Sequence, residues 1–99
     1  MQLLKVRFSM KPDFNKKPKL ARQARLQYDN TRSQDILLLP ERVVKLNKTA
    51  AAILKLCNGD LLVSEIIATL ESQFQQQGLE PDVLEFLDDF SKRSWLDVE

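Results

Sequence analysis

Histidine is absent from the 99 residues, and cysteine occurs once, as Cys57. Without histidine the chain lacks the commonest metal ligand and the side chain that most readily acts as a neutral general base. A single cysteine cannot close an internal disulfide. These absences argue against a hydrolytic or metal-dependent active site, and neither a metal nor a cofactor is expected. Glycine is confined to Gly59 and Gly78, which leaves no glycine-rich phosphate cradle and no glycine-bearing calcium loop. No apolar run approaches the ~20 residues needed to span a bilayer. The opening Met1-Gln2-Leu3-Leu4-Lys5-Val6-Arg7 is too short and too interrupted for a signal peptide, so the expected location is the cytoplasm, with no membrane partner. What is present is an apolar fraction of 43%, enough at this length for one modest core and a single domain.

The net charge of +1 conceals an asymmetry. Residues 1–34 hold nine Lys/Arg against Asp13 and Asp29, and residues 35–99 hold six against twelve Asp/Glu. A basic front and an acidic back result. Either half can attract a charged partner, and the two signs also attract each other across a solvated surface.

Residues 1–17 mix isolated apolar residues with Lys, Pro and Asn, show no sustained period over their length, and read as a flexible basic arm. The domain proper is expected at 18–99. Ala24-Arg25-Leu26-Gln27-Tyr28 alternates as a half-buried strand does. Asp29-Asn30-Thr31-Arg32-Ser33-Gln34 supplies turn chemistry, Ile36-Leu37-Leu38-Leu39 is a second strand, and Pro40 stops it by lacking an N–H. Val43-Val44-Lys45-Leu46 makes the third. Such brief connections require an antiparallel meander. From Asn47 the period lengthens to about 3.6. Ala50, Ile53, Leu54 and Cys57 share one helix face, capped by Asn47 or Thr49 and stopped at Asn58-Gly59. Val63, Ile66, Ile67, Leu70 and Phe74 define a second helix that ends by Gly78. A third opens at Pro81, a residue suited to a first helical turn, with Val83, Leu84, Phe86, Leu87 and Phe90 as its stripe. Trp95-Leu96 folds back to close the core. The class is α+β, in the order βββααα.

The helix–turn–helix over 49–77 invites a DNA-binding reading. Charge decides against it, because Leu56 through Ser91 contains no Lys or Arg to neutralise phosphates. Glu85, Asp88 and Asp89 gather carboxylates on the third helix, but opposite its apolar stripe, where charged residues normally sit. Cys57 occupies an apolar stripe with no histidine to activate it and reads as a structural thiol. The apolar arc of the third helix spans roughly 160°, from Phe86 at one edge to Leu84 at the other. An arc that wide suits either a deeply wedged helix or one whose edge lines a groove. An extended peptide can add to the free edge of a meander and drop apolar side chains into such a groove.

Pro18-Lys19-Leu20-Ala21-Arg22, Leu38-Leu39-Pro40-Glu41-Arg42, Asn47-Lys48-Thr49-Ala50, Ile53-Leu54 and Cys57-Asn58-Gly59, in this order and spacing, resemble the coenzyme PQQ synthesis protein D family. The resemblance runs from about Pro18 to Leu96. It implies a winged-helix-like fold without catalytic activity that serves as a recognition element for ribosomal peptides. In the pyrroloquinoline quinone pathway it implies a peptide chaperone. Such a protein binds the precursor peptide and associates with the radical SAM enzyme that cross-links a glutamate to a tyrosine in it. The implied peptide site is Val43, Val44, Lys45 and Leu46 facing Leu84, Phe86, Leu87 and Phe90, with Glu85, Asp88 and Asp89 holding basic residues of the peptide. Nucleic acid is not an implied partner, and the expected state is a monomer or a weak or swapped dimer. The alternatives are a recognition element of another peptide-modifying pathway, a structural subunit of an enzyme complex, and a small winged-helix DNA-binding regulator. Three departures from the family pattern stand out: the arm, Leu62 at a position where a capping threonine is commoner, and Ser94 where glycine often precedes the final aromatic.

Overall fold

The computed structural model describes residues 15–98. Three strands, β1 (Pro18–Leu20), β2 (Arg25–Asp29) and β3 (Gln34–Leu38), lead to β4 (Val43–Leu46). Three helices follow, α1 (Lys48–Leu56), α2 (Val63–Phe74) and α3 (Glu80–Lys92), and β5 (Leu96–Val98) ends the order. The strands β2, β3 and β4 form an antiparallel sheet with β3 in the middle, so the expected meander followed by three helices is the core of the fold. Of the arm read at 1–17, residues 1–14 lie outside the described residues. The Lys16 carbonyl accepts from the Val63 N–H at 2.9 Å and so satisfies one of the open donors at the start of α2.

Local chemistry moves the strand limits by a residue or two. Ala24 donates its N–H to the Ala21 carbonyl at 3.0 Å, a turn that delays β2 to Arg25. The Asp29 carboxylate accepts from the N–H groups of Thr31 and Arg32, closing the turn between β2 and β3. Gln34 then joins β3 opposite Asp29, and its side-chain amide donates to the Leu46 carbonyl of β4. Leu39, read as the last residue of the second strand, exchanges hydrogen bonds with Arg42 around Pro40-Glu41 instead. Proline at the first central position presets the φ of that turn.

Each helix begins and ends for a nameable reason. The Asn47 side chain accepts from the Ala50 N–H at 2.7 Å and caps α1. Leu62 precedes α2 with no acceptor to offer, so only the reciprocal half of a capping box exists, with the Glu65 carboxylate accepting from the Leu62 N–H at 2.8 Å. Gln75 takes the left-handed conformation, φ 51°, and Gln76 donates to the Glu71 carbonyl, ending α2 at Phe74 rather than near Gly78. The helix α3 starts one residue before Pro81, with the Leu79 N–H held by the Glu71 carboxylate at 3.0 Å.

A second, two-stranded sheet pairs β1 with β5, Leu20 opposite Leu96 and Pro18 opposite Val98. Trp95 and Leu96 do fold back, as expected, and both are buried. Gly59, at φ 85°, donates its N–H to the Pro18 carbonyl. A Cβ there would sit 3.2 Å from Lys19 Cδ, so the close approach of this turn to β1 favours glycine. The core is continuous from Leu37 of β3 through Ile53, Leu54, Ile66 and Leu70 to Val83 of α3, and no polar side chain among the described residues is buried in it.

Candidate peptide-binding groove

Among the described residues β4 is an edge strand: β3 lies on one side of it and no described strand on the other. In an antiparallel ladder every second residue of such an edge turns its N–H and C=O away from the sheet. Val44 and Leu46 point inward, the first half-buried and the second buried, while Val43 and Lys45 stand on the outer face. Val43 is 58% exposed, an unusual position for a large apolar side chain.

A groove of about 580 Å³ runs between this edge and α3. All four residues of β4 line it, joined by Asp82, Val83, Phe86, Asp89 and Phe90 of α3 and by Arg93 just beyond its end. Its aromatic wall is ordered: the Phe86 and Phe90 rings stack at 4.1 Å between centroids, and Trp95 meets Phe90 edge-on at 5.2 Å. Arg93 lies 5.1 Å above the Trp95 ring and its Nε donates to Asp89 at 3.2 Å, so one guanidinium ties the end of α3 to the tryptophan.

Of the residues expected at the site, the structure brings Val43, Val44, Lys45, Leu46, Phe86 and Phe90 together around this groove. Leu84 and Leu87 are not there. They sit on the other edge of α3, 6% and 4% exposed, around a crevice of about 80 Å³ shared with Val63 and Val98. The reason is helical geometry: Leu84 lies about 160° from Phe86 around the helix, and β5 and α2 cover that side. The three carboxylates divide as well. Asp89 stands on the groove rim, whereas Glu85 and Asp88 border a neighbouring shallow depression, where Asp88 pairs with Lys92 at 3.2 Å.

Sequence reasoning missed Phe74, Asp82 and Trp95 as lining residues. For Asp82 the signal existed, since it precedes Phe86 by four positions and shares its helix face. Trp95 was legible only as a closing core residue, because its place beside Phe90 depends on the chain reversal at Ser94.

Burial pushes the Cys57 thiol up to about 12, where a thiolate nucleophile does not form near neutral pH. Among the described residues no cluster of three His, Cys, Asp or Glu has the geometry to hold a metal ion. No helix among them is long and apolar enough to cross a membrane.

The chain has relatives among known proteins. Residues 35–96 match the family model described as coenzyme PQQ synthesis protein D. A protein of Azotobacter vinelandii called PqqA binding protein is 43% identical over 82 residues, covering 82% of this chain and 89% of its own length. Its namesake in Methylococcus capsulatus is 38% identical, with 73% and 77% covered. Among solved structures, the PqqD truncation of Methylobacterium extorquens PqqCD superimposes with a TM-score of 0.68 at 34% identity, covering 81% of this chain and 87% of that one. That protein is described as a functional, stand-alone recognition element for ribosomally synthesised and post-translationally modified peptides.

Proposed function

The chain belongs to the coenzyme PQQ synthesis protein D family, and from that premise we propose that it is a peptide chaperone of pyrroloquinoline quinone biosynthesis. It binds the ribosomal precursor peptide in the groove between β4 and α3 and hands it to the radical SAM enzyme that cross-links glutamate to tyrosine. The observation that carries this reading is the free edge of β4 lying beside the stacked Phe86 and Phe90. An extended peptide pairs its main chain with that edge and sets alternate side chains against the rings. Main-chain bonds supply affinity and the aromatic wall supplies selection. The chain itself adds no catalytic group. Its contribution is positioning, since a held peptide meets the enzyme at a high effective concentration in place of a free search.

Calorimetric titration with the PQQ precursor peptide tests the reading, with mixed-sequence duplex DNA as control. Saturable binding of the peptide alone is expected, together with amide shifts confined to β4 and the groove face of α3. Peptide binding without those shifts would move the site elsewhere. Absence of peptide binding would overturn the assignment to this pathway. Co-sedimentation with the radical SAM enzyme, with and without peptide, checks the second partner.

A further inference from the structure

Most of the ionic groups around α3 already have partners: Asp88 holds Lys92 and Asp89 holds Arg93, each at 3.2 Å. Three charged residues lining the groove differ. Arg42, Lys45 and Asp82 have no ion pair within 4.0 Å among the described residues, and all are exposed. Arg42 belongs to the turn before β4, whereas Lys45 and Asp82 lie on the two elements that would flank an incoming strand. Lys45 stands on the outer face of β4, whereas Asp82 shares the face of α3 that carries Phe86 and Phe90.

We infer that the groove selects its peptide by charge sign on each face, Lys45 taking an acidic side chain on the outer face and Asp82 a basic one on the inner face. The inference rests on the groove accepting an extended peptide. Spacing makes it specific. Asp82, Phe86 and Phe90 follow at i, i+4 and i+8, so their places along the helix axis are about 6 Å apart. Same-face residues of a strand recur every ~6.7 Å. In the inferred arrangement the added strand runs along α3, and three consecutive inward side chains meet Phe90, Phe86 and Asp82 in turn. The preferred peptide reads apolar-x-apolar-x-basic, or its reverse, with an acidic residue at the intervening position beside Lys45. Opposite charges across neighbouring strands attract and like charges repel, so a peptide with the two signs exchanged meets repulsion on both faces.

Two short synthetic peptides of identical composition test this. Both carry the apolar pair; one places Lys inward and Glu outward, and the other exchanges them. Titrations of the full chain, followed by the amide resonances of Val43–Leu46, should show the first binding about three- to tenfold more tightly at low salt. The gap should shrink at high ionic strength, where exposed charges are screened. In a Lys45→Glu/Asp82→Asn variant the order of the two peptides should reverse. Equal affinities in both proteins would overturn the charge inference and leave the groove reading standing, because both peptides would still move the β4 amides. If neither peptide moves those amides at millimolar concentration while the precursor peptide does, the inference falls alone. If the precursor also leaves them unmoved, the groove reading falls with it.

Discussion

The two edges of α3 carry the same kind of side chain and meet different neighbours. Leu84 and Leu87 are closed in by Val63 of α2 and Val98 of β5, whereas Phe86 lies half-buried beside an edge strand with none of the described residues laid across it. The difference lies in what the rest of the chain brings to each side. The β1–β5 pair and α2 seal one edge. The meander ends at β4 and leaves the other with an aromatic wall and, among the described residues, a strand edge that no other strand pairs. One continuous apolar arc thus divides into a half that holds the domain together and a half left open, which the proposed function assigns to the peptide. The largest effect expected from breaking that division is Leu84→Asp, which places a carboxylate in the sealed half. It should cost at least ~3 kcal/mol in denaturant unfolding. Phe86→Ala should cost only about 1–2 kcal/mol, because the ring is already part exposed, yet lower precursor-peptide affinity about tenfold or more. Equal loss of stability from both, with no separate loss of binding, would erase the distinction.

The next comparison lies between β4 and the segment just before β1. Val44→Asp puts a charge on the inward face of the edge strand and is expected to abolish peptide binding, with a stability loss of about 2 kcal/mol. Lys16 contributes to α2 through its carbonyl, not its ammonium group. Lys16→Ala should therefore change unfolding by less than ~0.5 kcal/mol and leave calorimetric affinity unchanged.

How much of this was legible in the sequence depends on the range over which each feature is decided. The meander and the three helices are local, set by alternation, by Asn47 as a cap and by Pro40 in its turn, and they lie where those residues indicate. Leu84 and Phe86 could not be told apart, since a helical stripe gives the angle between two residues and not which neighbour covers each. That choice depends on β5 pairing with β1 from the far end of the chain, and a three-residue strand is too short to show a period. The same long-range pairing decides where Trp95 lies. Asp82 was readable as an exposed acid in a first helical turn, and only the position of β4 makes it part of a rim.

Cys57 sharpens the contrast from the sealed side. It is 3% exposed, its Sγ–H donates to the Ile53 carbonyl at 3.3 Å, and desolvation raises it from 9.0 to about 12. In the unfolded chain the thiol ionises near 9.0, so above that pH the unfolded state binds fewer protons than the folded one and stability falls. This contribution is fully present below pH 9 and is lost progressively up to about 12. By pH 10 the loss amounts to about 1.4 kcal/mol. Cys57→Ala should remove that part of the alkaline slope in a pH series of unfolding curves. The native thiol should resist alkylation at pH 8 and react once the chain is unfolded. Rapid labelling of the folded protein would show that this side of the core is not sealed.

A further small effect is expected at the link between α2 and α3, which borders the groove through Phe74 and Leu79. Gln75 holds a left-handed conformation, φ 51°, that costs a non-glycine residue roughly 1–2 kcal/mol. Gln75→Gly relieves that strain and loosens the unfolded chain, two opposing contributions that leave a gain of about 0.5–1 kcal/mol. The hydrogen bond from Gln76 to the Glu71 carbonyl is main chain to main chain and survives the change. Stability should therefore rise while peptide affinity stays where it was. A shift in affinity would mean that the peptide reaches past the aromatic wall to this link, and the open half of the molecule would extend from α3 onto the end of α2.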